Sequence, residues 1–274
     1  MRVLAINDVS CVGKCSLTVS LPIISACGVT CDVLPTALLS THTGGFTGYT
    51  FLNLTGEIPD IIRHWKTLGI RFDFIYSGYL GDENQIALVS QIKNEFLTPN
   101  GKFIVDPVMG DAGQLYANFD NAFIDKMRGL CAQADFILPN LTEACFLADI
   151  PYPKNEKQVS VNVLMDKLKN ICPRCIVTGI LKNNCISVYY ADENGNVYHE
   201  DAENISGFFH GSGDVFASAF VGALARGKDE RVAIRLATDF VSASIRRTAN
   251  EVTDTRYGLC FEKEIFPFLQ NLNK

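Results

Sequence analysis

Residues 211–214 read Gly-Ser-Gly-Asp and stand directly before an apolar run. Val215, Phe216, Ala219, Phe220, Ala223 and Leu224 recur at helical spacing, which predicts a helix with one buried face. Ser212 or Gly213 can open that helix as its cap. A helix start carries backbone N–H groups without intrahelical partners and the positive end of the dipole. Glycines let those groups approach an anion closely, so the stretch can cradle a phosphate. Asp214 is the odd member, because a carboxylate repels such a ligand. It is tolerable if it takes a proton from a nucleophile attacking the phosphate. Alternatively, Asp214 is a first-turn carboxylate that favours the dipole, and the glycines form only a turn. This stretch alone leaves both open.

Further polar groups follow short apolar runs. Asn7-Asp-Val-Ser10 follows the first run, and Ser40-Thr-His-Thr-Gly-Gly45 follows another. Asp106-Pro-Val-Met-Gly-Asp111, Pro139-Asn-Leu-Thr-Glu143 and Thr178-Gly179 follow three more. Each has a local explanation. Asp106 can cap a turn at Pro107, and Asn140 can cap a helix with Glu143 as its capping-box partner. Five such groups at five run ends point to a shared site.

The runs that must position them read as strands at Val3–Ile6, Cys31–Pro35, Phe72–Tyr76, Lys102–Val105, Phe136–Leu138 and Arg174–Thr178. Helical periodicity predicts helices at Ser16–Ala26, Ile58–Leu68, Asp82–Phe96, Asn121–Ala134, Thr142–Ala148 and Val159–Ile171. Ile186–Tyr190 and Asn196–His199 read as a hairpin around Asp192–Gly195. After the helix that opens at Ser212 or Gly213, helices are expected from Glu230 to about Thr248 and near Glu262–Leu272. Apolar strands alternating with helices predict an α/β fold, three-layer α/β/α, with a mostly parallel central sheet buried on both faces. With no repeat or linker, the whole chain, 1–274, is expected to be one domain. Ligands in such sheets bind beyond the carboxyl ends of the strands, where these polar groups lie.

The 274 residues are 47% hydrophobic and 20% charged, which suits a globular chain with a sizeable core. The formal net charge is −6 and no Lys/Arg run appears, so no nucleic-acid partner is expected. No apolar segment approaches a membrane span. The N-terminus reads as a strand rather than a secretory signal, so a cytoplasmic location and no membrane partner are expected. Ten cysteines lie mostly in apolar surroundings, and the four histidines lack metal-ligand spacing. Reduced thiols are expected rather than a structural zinc.

The order of Asp106–Asp111, Pro139–Glu143 and Gly211–Asp214 resembles the ribokinase-like superfamily. The resemblance covers essentially the whole chain. It is nearest to the vitamin kinases, namely the pyridoxal and hydroxymethylpyrimidine kinases. GSGD stands for the family's G-[TS]-G-D, PNLTEA for its PN-x-x-EA and DPVMGD for its DPV-[ML]-G-D. STHTGGFTG and Tyr116 look like pyridoxal kinase segments. The resemblance implies ATP-dependent phosphorylation of the 5′-hydroxymethyl group of pyridoxal, pyridoxine or pyridoxamine. It makes Asp214 the base and Gly211, Ser212 and Gly213 the anion hole. It assigns Asp106, Asp111, Asn140, Glu143, Thr178 and Gly179 to ATP, with Asp106 and Glu143 toward Mg2+. The hairpin and the Ala202–Phe208 loop would flank the adenine.

The same resemblance places a planar heterocycle against Asp8, Ser10, Thr43 and Tyr116, with Val12 or Phe46 on its faces. The loop Asn7–Val12 would reach that ring. A monovalent cation (K+) near the anion hole and a homodimer are family habits. The other readings are a hydroxymethylpyrimidine kinase, a sugar or nucleoside kinase, and a binding protein without catalysis. The segment between Pro35 and Gly69 is too short and too apolar for the large lid of the sugar kinases.

Overall fold

The computed structural model describes residues 1–117, 119–154 and 160–274. In chain order the elements are β1 (Arg2–Val12), α1 (Leu17–Ala26), β2 (Thr30–Thr41), β3 (Phe51–Asn53), α2 (Ile58–Thr67), β4 (Phe72–Ser77), α3 (Glu83–Phe96) and β5 (Leu97–Val105). There follow β6 (Gly110–Asp111), β7 (Gln114–Leu115), α4 (Asn121–Cys131), β8 (Phe136–Ile137), α5 (Leu141–Ala148) and α6 (Val161–Lys169). The last third holds β9 (Ile176–Lys182), β10 (Cys185–Ala191), β11 (Val197–Glu203), α7 (Ser212–Ala225), α8 (Glu230–Glu251) and α9 (Ile265–Leu272). The expected start of α6 at Val159 lies outside the described residues.

The central sheet runs β3-β2-β1-β4-β5-β8, with β1, β2, β4, β5 and β8 mutually parallel and β3 antiparallel at the edge. Parallel bridges Ile137↔Cys175 and Asn140↔Thr178 join it to the antiparallel β9-β10-β11 sheet. The sheet is buried on both faces because its strands are apolar at successive positions. On β1, Leu4 and Ile6 enter the core shared with α2 to α6, while Val3 and Ala5 enter the core shared with α1, α7, α8 and α9. This is a three-layer α/β/α arrangement with a mostly parallel sheet. The strand order reverses between β1 and β4, where an open sheet of this kind leaves a crevice.

Several strands are longer than the sequence predicts, β5 among them, which begins at Leu97. β1 and β2 stay paired in parallel as far as Val12↔Thr41, with a register shift between Asn7 and Val9. Asn7, Asp8 and Pro35 are poor strand formers and hide this continuation. Residues 7–12 are therefore strand, and not the loop that was expected. β9 likewise runs on to Lys182. At its centre Thr178 and Gly179 oppose only Val188, a bulge made possible by the positive φ of Gly179 (76°). Among the described residues all ten cysteines are free thiols. No described helix is long and apolar enough to cross a membrane.

Candidate active site

A cavity of about 860 Å3 opens beyond the carboxyl ends of the strands. Its middle is lined by Asp106, Asn140, Glu143, Ser212, Gly213 and Asp214. Toward β1 and β2 the wall carries Asp8, Ser10, His42, Thr43, Tyr49 and Tyr79. Toward β9, β10 and α8 it carries Thr178, Gly179, Ile186, Val188, Val241 and Ile245. Asp111 and Tyr116 also face it. Ala202 of β11 and Asn204, Ile205 and Phe208 of the loop after it contribute to the rim. Residues 202 and 203, expected in that loop, pair with β10 instead.

Gly211 adopts a left-handed conformation (φ 77°) and turns the chain into α7. No side chain caps this helix, so its first-turn N–H groups stay available to a ligand. Asp214 is the third helical residue and is mostly buried. Burial pushes its carboxyl up to about 6, and the charge of Asp8 adds to this. The Ser16 backbone N–H and the Asn7 amide oppose the rise. Asn7 Nδ2 donates to Asp214 Oδ1 at 3.4 Å. Its Oδ1 accepts from the N–H groups of Asp8 (3.0 Å) and Tyr79 (2.8 Å). Asn7 is thus fixed between β1 and the end of β4 and points its amide at the carboxylate.

Asp8 is buried and both of its oxygens are occupied. Ser16 Oγ donates to Oδ1 at 2.5 Å, and Ser10 Oγ donates to Oδ2 at 3.0 Å. Burial pushes the Asp8 carboxyl up, against these hydrogen bonds. Asp8 therefore braces this wall, and Ser10 turns only acceptor capacity to a ligand. Two other expected ring contacts are displaced. Val12 points to solvent, with 47% exposure. Phe46 packs edge-on against His42 (5.0 Å) and Tyr257 (5.4 Å), and neither Val12 nor Phe46 lines the cavity. Alternation puts Asp8, Ser10 and Val12 on one face of β1, but only Asp8 and Ser10 are covered there, and Val12, the last residue of the strand, is left in solvent.

Asn140 and Glu143 form a capping box on α5. Glu143 Oε2 accepts from the Asn140 N–H at 2.9 Å, and Oε1 accepts from the Met109 N–H at 3.1 Å. Asn140 Nδ2 reaches back to the Gly110 carbonyl at 2.9 Å. The capping box joins β8–α5 to the segment 106–111 and brings Asp106 beside Glu143. Burial pushes Glu143 up to about 8. Burial pushes Asp106 well above the usual carboxylate range, followed by the charges of Glu143 and Asp214. Among the described residues no lysine or arginine pairs with Asp106, Glu143 or Asp214. No side-chain cation compensates these carboxylates, and a divalent cation would favour the ionised forms that burial opposes. The described side chains do not form a three-ligand cage, so a hard cation that keeps most of its waters fits best.

Several residues of the site carry little sequence signal of their role. Asn7 does not line the cavity but reaches Asp214, and nothing beyond its place in Asn7–Ser10 marks it. His42 is marked only by its place in Ser40–Gly45, and His210 only by a spacing unfit for a metal. Tyr79 follows a strand end and carried no other signal. Thr238, Val241, Ser242 and Ile245 of α8 recur at the spacing of an ordinary core face, so nothing marked them as cavity wall.

The sequence matches the phosphomethylpyrimidine kinase family over residues 21–257. A Bacteroides thetaiotaomicron protein provisionally named a phosphomethylpyrimidine kinase, and solved with pyridoxal, is 37% identical. The match covers 100% of this chain and 96% of that one, with a TM-score of 0.90. A pyridoxal kinase from Lactobacillus plantarum is 31% identical over 98% of this chain and 96% of its own, with a TM-score of 0.91. A pyridoxal kinase of Histophilus somni is 25% identical over 81% of this chain and 80% of its own. Matches to relatives in Caenorhabditis elegans and Saccharomyces cerevisiae span 48% and 64% of those chains.

Proposed function

The chain belongs to the phosphomethylpyrimidine kinase family, and we propose that it transfers the γ-phosphoryl group of ATP to the 5′-hydroxymethyl group of a B6 vitamer. The observation that carries this reading is Asp214, a mostly buried carboxylate raised to about 6 at an uncapped helix start. It shares one cavity with a polar pocket wide enough for a planar ring. The pyridoxal bound by the Bacteroides relative supports the same substrate class. Hydroxymethylpyrimidine is the second reading, supported by the matched family.

Phosphoryl transfer needs alignment and charge neutralisation more than covalent chemistry. Asp214, steered by Asn7, orients the substrate hydroxyl and takes its proton. The N–H groups from Gly211 to Gly213 face the charge that develops on the transferred group. Asp106 and Glu143 would hold Mg2+ through its waters, and the ion would neutralise the ATP phosphates. Asp111, Asn140, Thr178 and Gly179 would lie along the nucleotide phosphates and ribose, with the β10–β11 hairpin and Ile205 by the base. Tyr116 and Thr43 would border the vitamer. A monovalent cation by the anion hole belongs to this proposal as a family trait. So do a cytoplasmic enzyme acting as one domain and a homodimer with one site per subunit. A monomer mass at working concentration overturns the dimer.

ADP release is the direct test, with pyridoxal, pyridoxine, pyridoxamine, hydroxymethylpyrimidine and a sugar panel. Turnover of the vitamers is the expected result. Turnover of hydroxymethylpyrimidine alone selects the second reading, and no turnover indicates a binding protein.

Glu143→Gln separates the two roles of that carboxylate. The Mg2+ concentration for half-maximal rate is expected to rise more than the KM for the vitamer. An unchanged Mg2+ dependence with a lower Tm leaves only the capping box. At the ring end, Ser10→Ala and Thr43→Ala are each expected to raise the vitamer KM severalfold. One neutral hydrogen bond contributes about 0.5–1.5 kcal/mol. KM for ATP should barely move, and a rise in ATP KM alone reverses the assignment of the two ends.

A further inference from the structure

Two imidazoles meet at the acceptor end of the cavity, with ring centroids 5.2 Å apart. His42 has both nitrogens committed. Its Nε2 donates to the Arg256 carbonyl at 2.6 Å, and its Nδ1 accepts from the Gly44 N–H at 3.1 Å. A carbonyl can only accept and an N–H can only donate, so these partners fix the tautomer. His42 therefore holds the turn that presents Thr43 and has nothing left for a ligand.

His210 differs. It is half-buried, lines the cavity, and has no hydrogen-bond partner on either ring nitrogen among the described residues. Its place is nonetheless well defined. Phe208 packs edge-on to it at 4.8 Å, and His42 lies on another side. Gly44 makes room for it, since a Cβ there would stand 2.4 Å from His210 Nδ1. Burial pushes its pKa down, against the pull of Asp111. The neutral ring offers one donor and one acceptor. His210 also directly precedes Gly211 and stands four residues before Asp214. A ring whose hydroxymethyl group reaches Asp214 thus brings its neighbouring substituent toward His210.

We propose that His210 is a substrate-contacting specificity residue, which hydrogen-bonds the polar group on the ring carbon next to the reacting hydroxymethyl. This rests on the acceptor being a hydroxymethyl heterocycle. In the B6 vitamers that group is the 4-position aldehyde, alcohol or amine, the one feature that tells them apart. In hydroxymethylpyrimidine it is the 4-amino group. His210 is then the position at which vitamer preference is set.

The test pairs two variants with a substrate that lacks the group. His210→Phe keeps the packing and removes both nitrogens, while His210→Gln keeps a donor and an acceptor. In the wild type, 4-deoxypyridoxine should show a KM about three- to tenfold above that of pyridoxine. In His210→Phe that ratio should fall to about one, with KM for ATP within about twofold of wild type, and His210→Gln should restore part of it. Unchanged discrimination in His210→Phe overturns the proposal. So does an equal rise for both acceptors or a rise in ATP KM, since each shows only packing. A wild type that turns over no B6 compound overturns the vitamer reading instead. The variants are then compared on 4-amino-5-hydroxymethyl-2-methylpyrimidine and its des-amino analogue, where unchanged discrimination overturns the role of His210. Inactivity on all acceptors overturns both.

Discussion

Asp214→Asn is expected to lower kcat by about two to four orders of magnitude, the usual contribution of a positioned general base. The amide keeps the shape and the contact with Asn7 but cannot take a proton. KM for ATP should stay near the wild-type value. The pH dependence gives a second signature. The base must be ionised, and its carboxyl sits at about 6. In the wild type, kcat/KM should therefore fall about tenfold per pH unit below that value, and the residual rate of the variant should lose this limb. Stability should move the other way. A carboxyl raised by burial binds its proton more tightly in the folded state than in the unfolded state. Its ionisation therefore destabilises the fold as pH rises from the unfolded value through about 6. Removing that charge should raise the unfolding free energy above pH 7 by on the order of 1–3 kcal/mol. A variant with near wild-type kcat sinks the assignment of the base. A lower Tm at pH 8 would instead give Asp214 a structural role.

Gly211→Ala is the second large effect. The residue has φ 77° and ψ 5°, a conformation that disfavours any side chain by about 1–2 kcal/mol. The larger obstacle is space, because a Cβ would lie 2.3 Å from the Lys14 carbonyl oxygen. Lys14 cannot retreat easily. Its N–H donates to the Tyr257 carbonyl at 3.0 Å, and a parallel bridge ties it to Gly258. The turn must then shift, and the first-turn N–H groups shift with it. A loss of about 10²–10³ in kcat is expected, the usual effect of removing an anion-hole donor, together with a lower Tm. Gly213→Ala is the control, with nothing within 4 Å of its Cβ position and no positive φ. It should lower Tm far less. Equal losses of Tm in the two variants would remove the steric argument.

The strand and helix cores were readable because burial on both faces leaves apolar runs such as Val3–Ile6 and Phe103–Val105. The reading failed where those runs end. β1 continues through Asn7, Asp8 and Ser10, which are polar because Asp8 and Ser10 face the cavity and Asn7 meets Asp214, and in a sequence such polarity looks like a loop. Strand β3 is exposed at all three residues and has no pattern to find. The motif residues Asp106, Asn140, Glu143, Thr178, Gly179 and Asp214 do come together around one cavity. Their partners could not be foreseen. That Asp8 would be occupied by Ser16 depends on the positive φ of Ser16 (54°), which places its hydroxyl by the strand. Likewise, Asn7 meets Asp214 only because α7 and β1 are adjacent in the fold.

The hydrogen bond from Asn7 to Asp214 closes a span of 207 residues, and that from His42 to Arg256 closes 214. During synthesis, β1 through β5 can pair from the first 105 residues, long before the helix that bears the base has emerged. Long loops close at a modest but unavoidable entropic penalty, and contacts of such separation form late. The β1–β2 part of the acceptor wall can thus form first, whereas the reactive group and the Arg256 anchor of the His42 turn arrive last. A nascent or truncated chain can own a nearly finished sheet yet have no means of activating a hydroxyl. Catalytic competence in this molecule is therefore a property of the completed fold, acquired only when the two distant parts of the chain close on each other.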